Sequence, residues 1–540
     1  MAVNVPGLVV VVIFYVGVLA IGIWASRKSK KAEKSCAGTK SEVTIVGGRN
    51  ISVLVGVFTT TATWVGGGYI LGTAEVVYSP KQGLIWAIAP PAFFINLVVG
   101  GMFFAKPMRS KRYLTMLDPF QHRYGNMFTA ALLLPALVSD ILWVSCILAA
   151  LGGTMSVILG LSSFISIFIS AGISILYTFL GGLYSVAYTD VIQLFFMFFS
   201  LFLCIPFLAL SPAVTGVSPA AHLNQSNANA WLGKLELADA GKWIDEMMLL
   251  SLGTLAYQAL YQRILSAASS AQAQITCFAA AVAVFIMGIP SVVIGAVAAT
   301  ADWNQTAYGL PAPFERGEAG KILPLALQYL TPTWLSVLGI GSVAAAVMSS
   351  MDSALLSSAS MFTQNIYKST LRKQASEREL QWVIRICVLL VGLAGMGLAF
   401  SGESVFALWL LSTELLYCII LPEFICVLFF SCANSYGAIC GYVVGLLLRL
   451  LSGESMLGIP PVLLFPGWRE EDGVITQHFP YRTLAMLCSL VCILTVSKMM
   501  DVGFRQHLIP QSWDLLGVFK QKMEAEEEEE ERVYMTQLLS

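Results

Sequence analysis

The sequence predicts an all-α polytopic membrane protein of about 13 transmembrane helices, built around a five-plus-five inverted repeat. Three observations carry that reading. Of 540 residues 57% are hydrophobic and only 12% charged, whereas a soluble chain keeps about 25% charged residues to wet its surface. Apolar runs of spanning length recur along the chain, and two of them, five runs apart, are interrupted by polar or glycine-rich stretches. So few charges cannot cover several soluble bodies, which excludes a secreted module, a nucleic-acid binder and a disordered scaffold. A net charge of −1 supplies no basic field for nucleic acid.

The runs lie near 7–25, 52–73, 83–105, 127–152, 155–180, 190–210, 243–262, 275–299, 334–366, 381–400, 404–430, 437–452 and 484–500. No charged stretch precedes the first, and Arg27, Lys28, Lys30, Lys31 and Lys34 follow it, so it reads as a span rather than a cleaved signal. Lys106, Arg109, Lys111 and Arg112 follow the third run, Arg263 the seventh, and Lys368, Arg372, Lys373 and Arg378 the ninth. The positive-inside rule puts these on the cytoplasmic side, the amino terminus outside and the carboxy terminus inside. Two glycosylation sequons, at Asn224 and Asn304, then fall in extracellular loops, where a glycan acceptor must be.

The expected organisation is a first helix and basic loop over 1–50, a two-repeat core over 51–430, additional helices over 431–505 and a cytoplasmic tail over 506–540. That tail carries Glu526 to Glu531, a carboxylate run that stays solvated; the Leu538-Leu539 pair beside it is a weak signal for trafficking adaptors. Most of the 11 cysteines sit in apolar runs and read as buried thiols rather than a disulfide framework. The four histidines (His122, His222, His478, His507) lie outside the runs without ligand spacing, so no transition-metal site is assigned. No constellation for enzyme catalysis stands out.

The chemistry concentrates where the apolar rule breaks. Backbone polar groups in lipid must be satisfied internally, so helix breakers mark cavities. The second run contains Thr59-Thr60-Thr61-Ala62-Thr63-Trp64-Val65-Gly66-Gly67-Gly68-Tyr69. It reads as an unwound segment whose carbonyls and hydroxyls can coordinate a cation, the alternative being a glycine face packed between helices. The seventh run is interrupted over Leu252 to Arg263. The ninth ends in Met348-Ser349-Ser350-Met351-Asp352-Ser353-Ala354-Leu355-Leu356-Ser357-Ser358, which offers hydroxyl oxygens to a hard cation such as Na⁺. An ionisable residue within a span is a functional candidate, which places Asp352 on an ion pathway. Asp140, Arg385 and Arg449 read as structural.

Gly181-Gly182-Leu183-Tyr184-Ser185-Val186-Ala187-Tyr188-Thr189-Asp190-Val191-Ile192-Gln193 resembles the signature of the sodium/solute symporters. TATWVGGGYI, FFAKPMRS, TMLDPFQ, ADWNQTAYGLP and AAAVMSSMDS resemble the choline-carrying members of that family, and the similarity runs to about Asp501. The resemblance implies a LeuT-like core and Na⁺- and Cl⁻-dependent high-affinity choline uptake across the plasma membrane. In neurons that uptake feeds acetylcholine synthesis, at presynaptic and vesicle membranes. It implies sodium ligands at the backbone near Thr59 and Ala62 and at Ser349 and Ser350, with Ala346 where sugar-carrying relatives have a third serine. Asp352 matches an aspartate of the choline carriers and Asp190 the family's intracellular-side acid.

A quaternary ammonium has no proton to donate and is held by π faces, each worth about 0.5–2 kcal/mol. Trp64 stands in the broken run itself, and Trp143 and Trp409 match aromatic positions of the choline carriers. Tyr257 replaces a tryptophan of those relatives, Phe93 a tyrosine, and Leu71 a polar residue. The alternative reading is a sodium-coupled symporter of another small organic cation or a zwitterion.

Overall fold

The computed structural model describes residues 40–180, 183–214, 230–400, 404–454, 456, 458–471 and 474–519, with isolated positions between Val9 and Trp24. The basic cluster after the first run, Cys36, Gly181-Gly182, His222, Asn224, the acidic run and the Leu538-Leu539 pair lie outside the described residues.

The helices that position the site are α1 (Val53–Trp64), α2 (Gly67–Tyr78), α3 (Leu84–Ser110), α4 (Asp118–Leu159), α5 (Ser163–Leu180), α6 (Leu183–Ala209), α7 (Ala240–Leu252), α8 (Gln258–Ser266), α9 (Ser270–Thr300), α10 (Thr333–Leu371), α11 (Glu377–Ala399), α12 (Val405–Phe429), α13 (Ser435–Leu451) and α14 (Tyr481–Arg505). Among the described residues eight helices are long and apolar enough to cross a membrane, or nine when the bent pair α1/α2 counts as one span. α13 and the described part of α5 are apolar but shorter, and the seventh run is divided between α7 and α8. Each run after the first therefore finds a helix, while the expected total of about 13 spans exceeds the eight or nine described helices long and apolar enough to cross a membrane.

Two groups of five follow from the chain order. The first is α1/α2, α3, α4, α5 and α6; the second is α7/α8, α9, α10, α11 and α12. Each opens on a broken helix. α10 packs on α4 and α6, α12 on α2 and α4, and α9 on α1, α2 and α3. In α10 and α12, 89% of the apolar stretch is buried, against 33% in α11 and 28% in α14. The helices therefore sort into a protein-covered interior and an apolar rim, as a lipid-facing body requires. α13 and α14 pair with each other, joined by a loop carrying a small hairpin, Arg469–Glu471 against Val474–Thr476. Short polar devices set the ends: Ser376 and Glu379 form a reciprocal cap at the start of α11, and Gly160, at φ 66°, turns the chain off α4 in the left-handed conformation a glycine tolerates.

The triple glycine does two jobs. Only Val65 and Gly66 leave the helical conformation, and α1 and α2 meet there at 51°. A Cβ on Gly66 would lie 1.9 Å from Ser350 Oγ. Gly67 and Gly68 belong to α2, where a Cβ would come 2.7 Å from Ala150 Cβ and 2.7 Å from Trp409 Cγ respectively. Unwinding explains the first glycine and close packing the other two.

The second break has a different form. α7 tightens into a 3₁₀ turn over Gly253–Ala256, and Tyr257 is extended at φ −81°, ψ 130° before α8 begins. All twelve residues of α2 and all nine of α8 are buried, so both half-helices after the breaks run through the middle of the protein.

Candidate substrate and ion site

Ending α1 at Trp64 delivers its indole to the break. There it meets Phe93 of α3 (5.0 Å between ring centroids), Tyr257 (5.9 Å) and Trp143 of α4 (6.1 Å). Trp143 and Tyr257 are 5.0 Å apart, and Phe93 stacks on Trp409 of α12 at 5.3 Å and 8°. The structure thus gathers all five aromatic residues expected from the sequence, from five separate segments, into one cluster. None is more than 5% exposed. The rings meet at mixed angles, 51° for Trp64 on Phe93 and 76° for Trp64 on Tyr257, so their faces turn in more than one direction.

Polar groups fix this cluster at two points. Tyr257 donates its hydroxyl to the Ser412 carbonyl and lies 3.0 Å from the Ser412 hydroxyl as well. Trp64 Nε1 is buried with no hydrogen-bond acceptor, a donor available to a polar group placed among the rings. Tyr69 joins the cluster at 5.9 Å from Phe93 and 6.4 Å from Trp409, and its hydroxyl is tied to the Val284 carbonyl at 2.8 Å. Sequence reasoning missed Tyr69 as a wall, although it directly follows the glycines.

A second, polar cluster lies one turn earlier on α1. The break deprives the last carbonyls of α1 of helical partners. Ser350 Oγ donates toward two of them, Thr63 O at 3.1 Å and Ala62 O at 3.4 Å. Thr59 Oγ1 donates to Asp190 Oδ2, and Ser349 Oγ to Asp190 Oδ1 at 2.5 Å. Thr63 Oγ1 donates to Thr59 O at 2.7 Å and lies 3.3 Å from Ser353 Oγ. The structure therefore brings Thr59, Ala62, Ser349 and Ser350 together, with Asp190 among them and Thr59 reaching it through its hydroxyl. Hydroxyl, carbonyl and carboxylate oxygens are the donor set of a hard monovalent cation, and the charge of Asp190 complements it.

Arg263 reads in the sequence as a cytoplasmic-side charge that follows the seventh run. It lies within α8, its side chain is 1% exposed, and it pairs with Asp190 at 3.5 Å. A charged residue inside a broken apolar run was the signal that could have found it. Asp352 takes another partner. It accepts from Thr178 of α5 at 2.5 Å, and its second oxygen is buried without a donor.

Asp140 accepts from Ser358. Arg449 pairs with Glu414 and with Glu454, the latter at 2.5 Å, and Arg385 covers the rings of Trp382 and Phe179. Asn304 lies exposed on a short turn. Ten described cysteines are free. Among the described residues no three His, Cys, Asp or Glu side chains converge as metal ligands.

Residues 44–445 match the Sodium:solute symporter family. The chain is 46% identical over 516 residues to the high affinity choline transporter 1 of Homo sapiens, covering 95% of this chain and 88% of that protein. It is 43% identical to the corresponding Caenorhabditis elegans transporter, with coverage of 95% and 88%, and 26% identical to the sodium/proline symporter of Escherichia coli, with coverage of 75% and 79%. In fold it is similar to a solved Na⁺-coupled sialic acid symporter, with TM-score 0.72 at 17% identity, over 91% of this chain and 97% of that one. The core is therefore LeuT-like, as the resemblance implied.

Proposed function

Because the chain belongs to the sodium:solute symporter family, we propose that it couples the inward movement of sodium to that of choline across the plasma membrane. The single observation that carries the choice of substrate is the five-ring cluster at the α1 break. Trimethylammonium offers no N–H, and the described wall of Trp64, Phe93, Trp143, Tyr257 and Trp409 offers π faces and no carboxylate. Trp64 Nε1–H is the donor that suits choline's hydroxyl oxygen.

Sodium binds beside the rings, on the carbonyl of Ala62 and the oxygens of Thr59, Ser349, Ser350 and Asp190. Binding there orders the end of α1 and so sets Trp64. The two repeats then tilt against each other and open the site inward. Sodium and choline are both cations, and each charge moved inward releases about 2.3 kcal/mol per 100 mV of membrane potential. Chloride accompanies them and offsets the charge. The amino terminus faces outward and the carboxy terminus inward, Asn224 and Asn304 carry glycans, the tail meets trafficking adaptors, and the choline delivered supplies acetylcholine synthesis. Asp352, on the opposite contact of α10, serves the ion pathway through α5.

Uptake of labelled choline into cells expressing the chain is the direct test. Replacing external Na⁺ by a large organic cation is expected to abolish accumulation, and undiminished uptake would refute the proposal. Excess betaine added as a competitor separates the readings: inhibition stronger than that by choline would assign the rings to a zwitterion instead.

A further inference from the structure

We infer that Arg263 is a built-in counter-ion that exchanges with sodium at Asp190, so that sodium binding releases the cytoplasmic end of α8. The inference rests on the sodium reading above and adds how the empty and loaded states differ.

Charge comes first. Asp190 and Arg263 are both buried, and among the described residues Arg263 is the cation paired with that carboxylate. The two together are neutral. A sodium ion added to the same oxygens leaves an excess positive charge in a site closed to water, and like charges at such separation disfavour each other strongly. Either sodium is excluded or the guanidinium withdraws.

The hydrogen bonds favour withdrawal. Arg263 Nη2 stands 2.5 Å from Ser353 Oγ but 3.5 Å from Asp190 Oδ2, well beyond the usual reach of about 2.8 Å for a charge-assisted bond. Its Nη1 meets only the neighbouring Gln262 side chain at 3.1 Å, and its Nε is buried without an acceptor. Arg449 shows what a locked buried arginine looks like in the same protein: its Nε takes Glu414, Nη1 the Gly453 carbonyl at 2.9 Å, and Nη2 Glu454 at 2.5 Å. Arg449 is satisfied at every nitrogen and Arg263 is not.

Withdrawal would act at a defined place. Three residues after Arg263, the Ser266 carbonyl accepts from Ile51 N at 3.2 Å, and the next carbonyl, of Ala267, accepts from Arg109 Nε at 2.7 Å. These bonds tie the end of α8 to the segment preceding α1 and to α3. Arg263 held at Asp190 keeps α8 in register with both ties, and its release frees that end to move.

The test uses the full-length protein in lipid nanodiscs. Sodium-dependent thermal stability, titrated without choline, reads sodium binding directly, and uptake assays separate half-saturating sodium from the KM for choline. Arg263→Gln is expected to lower half-saturating sodium at least about fivefold, the lower end of typical coupling between two ligands. Arg263→Lys keeps the charge and is expected to retain the wild-type sodium dependence. The choline KM at saturating sodium should move far less than the sodium term.

A purely structural Arg263 would reduce folded protein in both variants and leave half-saturating sodium unchanged, which overturns the inference. Should Arg263→Gln fail to fold, hydrogen exchange of residues 258–267 in the wild type decides. Faster exchange with sodium supports release, and identical exchange refutes it. A wild type whose stability does not respond to sodium at all defeats the sodium reading itself, whereas a sodium response with neither of the two effects defeats only the exchange with Arg263.

Discussion

The two broken helices hold matching places in their repeats and are broken by different chemistry. Between α1 and α2 the chain unwinds at Val65–Gly66, and Gly66 leaves no room for a side chain beside Ser350. That break is made by atoms that are absent, and the carbonyls it frees are taken up by a serine of the other repeat. Between α7 and α8 the chain is diverted by atoms that are present. Gln258 accepts the Met116 N–H at 2.7 Å, and the Tyr257 hydroxyl is held on Ser412, so the extended residue is held by its own side chain and by the residue that follows. The first break frees carbonyl oxygens that face a serine of another helix, and the second aims a ring. The same architectural device is therefore tuned by what surrounds it.

Substitutions at the two breaks test that contrast. Gly66→Ala is expected to have the largest effect. Its Cβ would meet Ser350 Oγ at 1.9 Å and Ser350 Cβ at 2.6 Å; the hydroxyl can rotate but the Cβ is fixed to its backbone, so the overlap costs about 3 kcal/mol, the upper end for overpacking. Uptake should fall to background, with surface biotinylation reporting how much of the loss is folding. Next comes Trp64→Ala, which removes the ring that touches three of the other four. Loss of one strong cation–π contact, about 1.4 kcal/mol, weakens choline binding tenfold or more, read as displacement of labelled choline from membranes. An unchanged affinity would place the ligand elsewhere.

Gly253→Ala, at the second break, is expected to be milder than Gly66→Ala. The new Cβ meets Thr413 Cγ2 and Tyr417 Cβ at 2.9 Å, a much shallower overlap than at Gly66, and the gain in helix propensity of about 1 kcal/mol offsets part of the strain. A thermal-stability loss as large as that of Gly66→Ala would erase the distinction between the two breaks. Tyr257→Phe should be smallest. It keeps the ring and removes one buried hydrogen bond, worth about 0.5–1.5 kcal/mol, so the choline KM should rise about two- to tenfold with half-saturating sodium unchanged.

Much of this site was legible because its signals are local. Three adjacent glycines after a threonine cluster mark a break in any membrane helix, and tryptophan at such a break is visible in the sequence. Paired serines at 349–350 are equally plain. The finer assignment within those motifs was not legible. Which glycine unwinds depends on which one faces Ser350, and that serine belongs to the other repeat.

Asp352 and Ser353 are neighbours in the chain, yet one meets Thr178 and the other Thr63 and Arg263. Successive helical residues point about 100° apart and so reach different helices. Arg263 reads as a charge on the cytoplasmic side of the seventh run because sequence records that a residue is charged but not that a carboxylate faces it inside.

The sequence by itself determined that the chain lives in a membrane, where its helices run, and that two of them break in corresponding positions. These follow from the cost of leaving polar backbone in lipid, which each segment meets on its own. Only the tertiary structure decided the partners of Asp190, because Thr59 lies 131 positions and Ser349 159 positions away along the chain. Contacts across that separation depend on how whole helices pack, and packing is a property of surfaces that no single segment contains.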